Sequence, residues 1–151
     1  MIPLRHIDLL VWQHNLKLAK DDKGVSTVFD PVRRKYVRAA PEEIVRQLWI
    51  QYFIEVHSIH PKRIAAERAF TIQGMARRFD LVIFDASAHP ILLAEFKAPD
   101  QVIGQNVFDQ IARYNMQLQI PLALISNGRD HYCFKIDDDI KGFVFKSEIP
   151  L

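Results

Sequence analysis

Two strongly apolar runs separated by a short turn constrain the fold of this sequence more than any other feature. Residues 79–84 and 91–97 each predict a strand, and residues 85–90 (Asp-Ala-Ser-Ala-His-Pro) predict a turn between them. If the residues at the two ends of that turn pair around a four-residue loop, the strands form an antiparallel hairpin in which Asp80 lies directly opposite Glu95.

That register brings three charged side chains onto one patch of a sheet. Side chains that face each other across antiparallel strands lie ~4.5–5.5 Å apart at Cβ. Two carboxylates at that separation, Asp80 and Glu95, are unfavourable unless a positive charge neutralises them, and carboxylate oxygens suit Mg²⁺ or Mn²⁺. The side-chain period of two places Lys97 on the same face as Glu95. Such a patch can hold a metal ion, activate water and neutralise charge that builds on a phosphate.

Less specific interpretations of these residues remain open at this point. An aspartate at the start of a strand is often only a strand-edge charge, and Glu95 with Lys97 can form a surface ion pair of little energetic value. The magnesium site of a nucleotide hydrolase is a poorer match, because it needs a Gly-rich loop ending in Gly-Lys-Ser/Thr, which the sequence lacks. Fourteen residues separate Asp80 from Glu95, and many unrelated chains match so loose a spacing.

The remaining pattern predicts an α/β fold with a mixed β-sheet, a central antiparallel meander and flanking helices. A helix begins at Pro41 and stops by about residue 59 before Pro61, because proline suits the first turn of a helix and disrupts its interior. A second helix covers residues 105–118, and the further strands cover residues 64–72, 122–126, 131–136 and 142–146. The acidic run at residues 137–139 predicts a loop. Residues 1–30 predict a hairpin, or a strand and a short helix.

Length and composition indicate one domain in a reducing compartment. The 151 residues suit a single domain, with residues 1–33 as an N-terminal extension and residues 34–136 as the core. A lone cysteine, Cys133, excludes an internal disulfide and a Cys-rich zinc site. No apolar run approaches ~20 residues and no signal peptide is evident, so we expect a cytoplasmic protein without a membrane partner.

Charge is distributed unevenly along the chain. Residues 33–79 contain ten basic and four acidic side chains, whereas residues 80–151 contain six basic and ten acidic ones. The basic segment could present a positive surface to a polyanion, although a solvated face explains it about as well. The candidate nucleic-acid-binding residues are Arg34, Lys35, Arg38, Arg77 and Arg78.

The motifs around the hairpin resemble the core of PD-(D/E)xK nucleases. Residues 34–136 further resemble the N-terminal nuclease domain of type I restriction enzyme R subunits, over about two-thirds of the chain. The matching segments are 34–38 (RKYVR), 41–47 (PEEIVRQ), 94–99 (AEFKAP), 108–115 (FDQIARYN), 126–128 (SNG) and 131–135 (HYCFK). The order of these segments is more specific than any one of them. Phe79 stands where the pattern usually has proline.

The resemblance implies a restriction-endonuclease-like fold, a Mg²⁺ or Mn²⁺ cofactor and a role for each matched residue. Asp80 and Glu95 would ligate the metal, and Lys97 would orient or deprotonate the attacking water. The acid of the first helix would be Glu43, with Glu42 the less favoured candidate, and it would complete the metal shell. The Q-x-x-x-Y element falls on Gln110 and Tyr114, which lie four residues apart and therefore share one helix face. Ordinary helix-surface polarity is the alternative explanation for this last pair.

These implications lead to two hypotheses. The first is a Mg²⁺-dependent endodeoxyribonuclease, with DNA as its partner and with a motor or specificity subunit in trans or a homodimer as further candidates. R subunits carry helicase motor domains after the nuclease domain, and the sequence ends at Leu151 without them, so we expect no cleavage coupled to its own translocation. The second hypothesis is a non-cleaving module of the same fold that binds nucleic acid or a protein partner.

Overall fold

The structure is a computed structural model that describes residues 1–137, 139 and 142–151. The predicted acidic loop at residues 137–139 therefore lies partly outside the described residues. The predicted order of a helix, three strands, a second helix and further strands is confirmed. The elements are β1 (Leu18–Lys20), β2 (Ser26–Asp30), β3 (Lys35–Arg38), α1 (Pro41–His57), β4 (Ile64–Ile72), β5 (Met75–Phe84), β6 (Pro90–Phe96), α2 (Gln105–Leu118), β7 (Leu122–Ser126), β8 (His131–Asp137) and β9 (Gly142–Lys146).

Strands β4 to β9 form one six-stranded mixed sheet in sequence order. Strands β4, β5 and β6 are an antiparallel meander, as are β7, β8 and β9, and a parallel pairing of β6 with β7 joins the two meanders. Helix α2 forms the connection between β6 and β7, since parallel neighbours need a long crossover rather than a tight turn. The predicted α/β class with a mixed sheet and flanking helices is thereby confirmed.

The predicted hairpin register is confirmed in the part that matters for the site. Leu81 pairs with Ala94 and Ile83 with Leu92, and the same register continued by one residue places Asp80 opposite Glu95. The register shifts between Ile83 and Phe84, so the pair that closes the hairpin is Phe84 with Pro90 and the loop begins one residue earlier than predicted.

Apolar side chains cover both faces of the six-stranded sheet. One core cluster packs α1 against the sheet, with Trp49 and Phe53 completely buried. The other packs α2 against the opposite face, with Phe108 completely buried. Leu4 and Leu9 from the N-terminal segment are each 1% exposed and belong to the α1 cluster, so this segment contributes to the main core.

The N-terminal segment contains both of the structures that were predicted as alternatives. A short 3-10 helix covers Leu9–Asn15, and β1 and β2 form a hairpin. A third strand, β3, which the sequence pattern did not predict, pairs with β2 and completes a separate three-stranded antiparallel sheet.

Helix α1 begins and ends where its sequence dictates. Pro41 occupies the first turn with Glu42 and Glu43, whose negative charges favour the positive end of the helix dipole. The helix ends at Ser58, which adopts a left-handed conformation with φ of 54°. Within the described part of the chain, neither this helix nor α2 is both long and apolar enough to cross a membrane.

Candidate active site

Asp80, in the middle of β5, and Glu95, near the end of β6, carry adjacent carboxyl groups. One oxygen of Asp80, Oδ2, accepts a hydrogen bond of 2.7 Å from the backbone N–H of Phe96, which fixes the aspartate against β6. Burial and, after it, the charge of Asp80 raise the pKa of Glu95 to about 9, while Lys97 opposes the rise. The predicted adjacency of the two acids is therefore confirmed.

Glu42 and Lys97 complete the electrostatic surroundings of this pair. Partial burial is the main cause that raises the pKa of Glu42, and the negative charge of Asp80 raises it too. Lys97 lowers the pKa of both Glu42 and Glu95, which shows that its ammonium lies within electrostatic range of both. The backbone N–H of Lys97 bonds to Ser126 and so extends the pairing of β6 with β7 by one residue.

Glu43, which the resemblance implies as a metal ligand, is engaged in a different set of contacts. Its Oε1 accepts hydrogen bonds from Arg33 at 2.5 Å and from Arg46 at 3.3 Å, and its Oε2 accepts one from Gln47 at 3.3 Å. Both oxygens of this carboxylate therefore already have partners. Glu42, the neighbouring acid, is the one whose charge interacts with Asp80 and Lys97.

A continuous chain of charges leads from the N-terminal sheet to Asp80. Asp30, completely buried at the end of β2, bonds to the Nε of Arg33, and Arg33 reaches Glu43. Arg46 is only 5% exposed; it contacts Glu43 through Nη1 and Oδ1 of Asp80 through Nη2, the latter at 3.4 Å. The guanidinium of Arg46 is thus a buried cation that already lies beside the carboxylate pair.

Glu67 is a further acid beside this network. It lies in β4 between the pairs Ala66 with Leu81 and Arg68 with Phe79, which places it opposite Asp80. Its φ of 55° is rare for a residue other than glycine in the middle of a strand. Its carboxylate lies 3.6 Å from Arg33 and 3.6 Å from Arg46, and a looser ion pair of 3.9 Å joins it to Arg78.

Gln110 and Tyr114 lie together on α2, and the amide of Gln110 donates to the hydroxyl of Tyr114 over 3.4 Å. The predicted sharing of one helix face is confirmed. The ring of Tyr114 contacts Phe79, the residue before Asp80, and the guanidinium of Arg77 lies 5.5 Å from the centre of the same ring. These contacts bring α2 beside β5, whereas no contact in the described part of the chain joins either residue to Glu95 or Lys97.

The predicted nucleic-acid-binding residues fall into two groups. Arg34, Lys35 and Arg38 are exposed on β3 and the turn before it, in the N-terminal sheet. Arg77 and Arg78 lie on β5, close to Asp80 in the chain. The two groups are connected through the ion pairs that Arg33 and Arg78 make with Glu67.

The chemistry of the donor set fits a divalent cation. Within residues 1–137, 139 and 142–151, no three acidic, histidine or cysteine side chains converge as a preformed metal centre. Mg²⁺, however, is usually held by one or two carboxylates together with water and substrate phosphates. Asp80 and Glu95 supply two such carboxylates, and burial together with the charge of Asp80 raises the pKa of Glu95.

Asp30, Arg33, Arg46 and Glu67 are the residues of this network to which the sequence pattern assigned no role. The spacing of Glu43 and Arg46, three residues apart on a helix, is a signal that could have identified one of them. Arg33 and Glu67 gave no such signal, because they reach the site from a separate sheet and from a distorted strand.

The fold is similar to that of a solved structure from a restriction enzyme. The structure described as a fragment of an HsdR subunit of a type I restriction enzyme from Vibrio vulnificus YJ016 aligns with a TM-score of 0.52 and 18% sequence identity. The alignment covers 74% of this chain and 24% of that chain. This chain therefore spans about a quarter of the length of that relative, and at this identity the likeness shows a shared fold. No curated protein matches the sequence.

A family model matches most of the sequence. The family is described as type I restriction enzyme R protein N terminus, and the match covers residues 41–150. The matched residues include all of α1, the whole six-stranded sheet and α2, and with them both members of the carboxylate pair. The chain belongs to the family of type I restriction enzyme R protein N-terminal domains.

Proposed function

We propose that this chain is a metal-dependent endonuclease that hydrolyses phosphodiester bonds in DNA. The observation that carries the proposal is the pair of adjacent carboxyl groups, Asp80 and Glu95, of which Glu95 has a pKa of about 9. Such a pair is unfavourable without a cation, and it lies beside Lys97 in a domain of a restriction enzyme family. The family supports a nuclease-like role, and metal dependence and cleavage are the proposed part.

Each residue in the proposed site has a chemical task. Asp80 and Glu95 would hold Mg²⁺ or Mn²⁺, which when bound supplies a Lewis acid and a water of lowered pKa. The backbone N–H of Phe96 and the guanidinium of Arg46 keep the carboxylate of Asp80 in one orientation. Lys97 would hold or deprotonate the attacking water and stabilise the negative charge that develops on the phosphate.

Helix α1 would supply the third acid of the proposed site. In this proposal Glu42 takes the role that the resemblance implied for Glu43, because the charge of Glu42 interacts with Asp80 and Lys97. Glu43 would act at one remove, by holding Arg46 against Asp80. Gln110 and Tyr114 are proposed to support the strand that carries Asp80 or to contact the scissile strand, through the contact of Tyr114 with Phe79.

The test combines metal binding with DNA nicking. Calorimetric titration with Mn²⁺ and a supercoiled-plasmid nicking assay would compare the wild type with Asp80→Asn, Glu95→Gln and Lys97→Met. We expect the two acid variants to lose both the Mn²⁺ heat and nicking. Lys97→Met should keep the heat and lower nicking at least ~100-fold, since a general acid–base contributes 10²–10⁴-fold. Glu55→Gln, a change at an exposed acid elsewhere on α1, is the matched control and should retain both.

A second candidate function is a non-cleaving module that binds DNA or a protein partner. The observation in its favour is that Arg46 already supplies a buried positive charge to Asp80 and that Glu43 has no free oxygen. Heat of Mn²⁺ binding that Asp80→Asn abolishes supports the enzyme. If the wild type shows neither heat of Mn²⁺ binding nor nicking of any DNA form, the endonuclease proposal is contradicted and the binding module remains.

Partners and location belong to the same proposal. Family membership supports DNA and the other subunits of a type I restriction enzyme as partners, including a motor or specificity subunit in trans. A location in the cytoplasm follows from such partners. A homodimer is proposed only as a means of cutting both strands of a duplex, and sedimentation of the full chain with and without DNA would test it.

A further inference from the structure

The N-terminal sheet buries one face and exposes the other. Val28 and Asp30 on the buried face of β2 are both 0% exposed. Because side chains alternate along a strand, Thr27 and Phe29 project to the opposite face, where they pair with Arg38 and Tyr36 of β3. Tyr36 is 52% exposed on this face.

The exposed face forms an open groove of about 820 Å³ that combines apolar and cationic groups. Its lining residues are Ala19, Lys20, Asp21, Val25, Thr27, Tyr36 and Arg38. The carboxylate of Asp21 is already engaged, because Oδ1 accepts hydrogen bonds from the backbone N–H groups of Lys23 and Val25. Residues 17–38 contain seven basic and three acidic side chains, and one of those acids is the buried Asp30, so positive charge dominates this surface.

The two rings on this face are in different situations. The ring of Phe29 already has neighbours, since Nζ of Lys17 lies 5.6 Å from its centre and Tyr36 packs against it edge to face at 5.3 Å. Tyr36 is thereby held in place by Phe29 while half of its own surface remains in solvent. A fixed, half-exposed ring on the same face as Arg38, in a groove that Lys20 also lines, is a suitable surface for stacking a base whose phosphates contact those cations.

Hydrogen-bonded ion pairs connect this sheet to the proposed active site. Asp30 at the end of β2 holds Arg33, and Arg33 bonds to Glu43 in the first turn of α1, next to Glu42. The match to the family begins at residue 41, so the sheet lies outside the part of the chain that the family describes. Asp30 and Arg33, which the family match does not include, therefore connect the sheet that forms the groove to the first turn of α1.

We propose that the exposed face of the N-terminal sheet binds single-stranded nucleic acid, with Tyr36 stacking one base and with Lys20 and Arg38 contacting its phosphates. This inference rests on the proposed function in that it takes nucleic acid as the substrate, but it requires neither metal nor cleavage. Charge complementarity selects a polyanion, and the exposed ring selects one whose bases are unpaired, because a duplex keeps its base faces stacked.

The test is fluorescence anisotropy of the full chain with labelled oligothymidylate and oligouridylate of about 16 nucleotides, in chelator so that no cleavage occurs. Tyr36→Ala should raise the Kd about tenfold, in keeping with the contribution of one stacked base. Tyr36→Phe, which keeps the ring, should stay within about twofold of the wild type. Arg38→Gln should lower the slope of log Kd against log salt by about one, which Tyr36→Ala should leave unchanged.

Val102→Ala is the matched control, because Val102 is 90% exposed and lies outside the sheet. The proposal is overturned if the wild type binds neither oligomer, if Tyr36→Ala binds as Val102→Ala does, or if Tyr36→Ala weakens duplex binding as much as single-strand binding. If Tyr36-dependent binding is tighter for one of the two oligomers, the proposal is supported and the preferred sugar, deoxyribose or ribose, is identified. If the wild type nicks plasmid DNA but Tyr36→Ala binds the oligomers as tightly as the wild type does, only this inference is overturned. If oligomer binding depends on Tyr36 but the wild type nicks no plasmid DNA, only the proposed endonuclease activity is overturned.

Discussion

At neutral pH, Glu95 keeps a proton in the folded chain that it would release in the unfolded chain. Glu95 is the last residue but one of β6, and its partly buried side chain faces the negative charge of Asp80. Burial and that charge both favour the neutral form, so the pKa rises from 4.5 to about 9. A cation bound between the two acids would reverse the balance and release the proton.

The pH dependence of stability follows from this residue with a definite sign. Between pH 4.5 and about 9 the folded chain retains a proton at Glu95 that the unfolded chain has lost. The contribution of Glu95 to the free energy of unfolding therefore falls as pH rises, by at most about 1.4 kcal/mol per pH unit. Urea unfolding in chelator from about pH 5 to pH 8 would measure it. Glu95→Gln should remove this part of the slope and be more stable than the wild type at the alkaline end.

Glu55→Gln provides the control, since that acid is exposed on α1. Its pH profile should follow that of the wild type. Parallel profiles for Glu95→Gln and the wild type would contradict the raised pKa and, with it, the closeness of the two carboxyl groups.

The position of α1 depends on the turn between β7 and β8. Gly128 in that turn has a φ of 87°, and a Cβ there would lie 3.0 Å from Cγ2 of Val45 on α1. The turn is itself held by Asn127, whose Oδ1 accepts from the backbone N–H groups of Arg129 and Asp130. Because α1 also carries Glu42 and Glu43, this contact helps to set how far the helix acids stand from Asp80.

Gly128→Ala should therefore cost more than an ordinary glycine replacement. Gly24 has a similar φ of 76° but no atom within 4 Å of its Cβ position, so Gly24→Ala measures the backbone strain alone. We expect Gly128→Ala to lower the free energy of unfolding by about 1 kcal/mol more than Gly24→Ala does. Urea unfolding of the two variants would measure the difference, and equal losses would mean that α1 shifts without cost.

At the scale of the whole molecule, the N-terminal segment packs into the same core as helix α1. Leu4 and Leu9 are buried in the α1 cluster, and the backbone N–H of Leu4 bonds to the carbonyl of His131 in β8 over 2.7 Å. Arg33 adds a polar connection between the same segment and α1. These contacts agree with one domain over residues 1–151, which stays a prediction made from the length of the chain.

Leu9→Ala and Leu10→Ala test that prediction as a matched pair. Leu9 is 1% exposed and Leu10 is 63% exposed. Leu9→Ala should lower the free energy of unfolding by about 3 kcal/mol because it leaves a cavity in the core, whereas Leu10→Ala should change it by less than about 0.5 kcal/mol. Far-UV circular dichroism and tryptophan fluorescence should report one coincident transition. An early, separate transition of the N-terminal segment would contradict the single-domain assignment.

Local sequence pattern was sufficient for the two helices, the strands of the six-stranded sheet and the central hairpin. Pro41 and Pro61 bracket α1, and the short turn between the apolar runs of β5 and β6 predicts the register in which Asp80 lies opposite Glu95. Pattern was insufficient for the roles of Glu42 and Glu43. Two adjacent helical acids look alike in sequence, and the choice between them depends on where Arg33 and Arg46 lie.

The sequence by itself determined the class of fold, the carboxylate pair and the lysine beside it, because short-range periodicity and hairpin register depend on neighbouring residues. Only the tertiary structure decided that Arg33, Arg46 and Glu67 surround that pair and that Leu4 and Leu9 of the N-terminal segment share the main core. Those contacts join residues far apart in the chain, and their geometry follows from how two sheets and a helix pack together rather than from any local pattern.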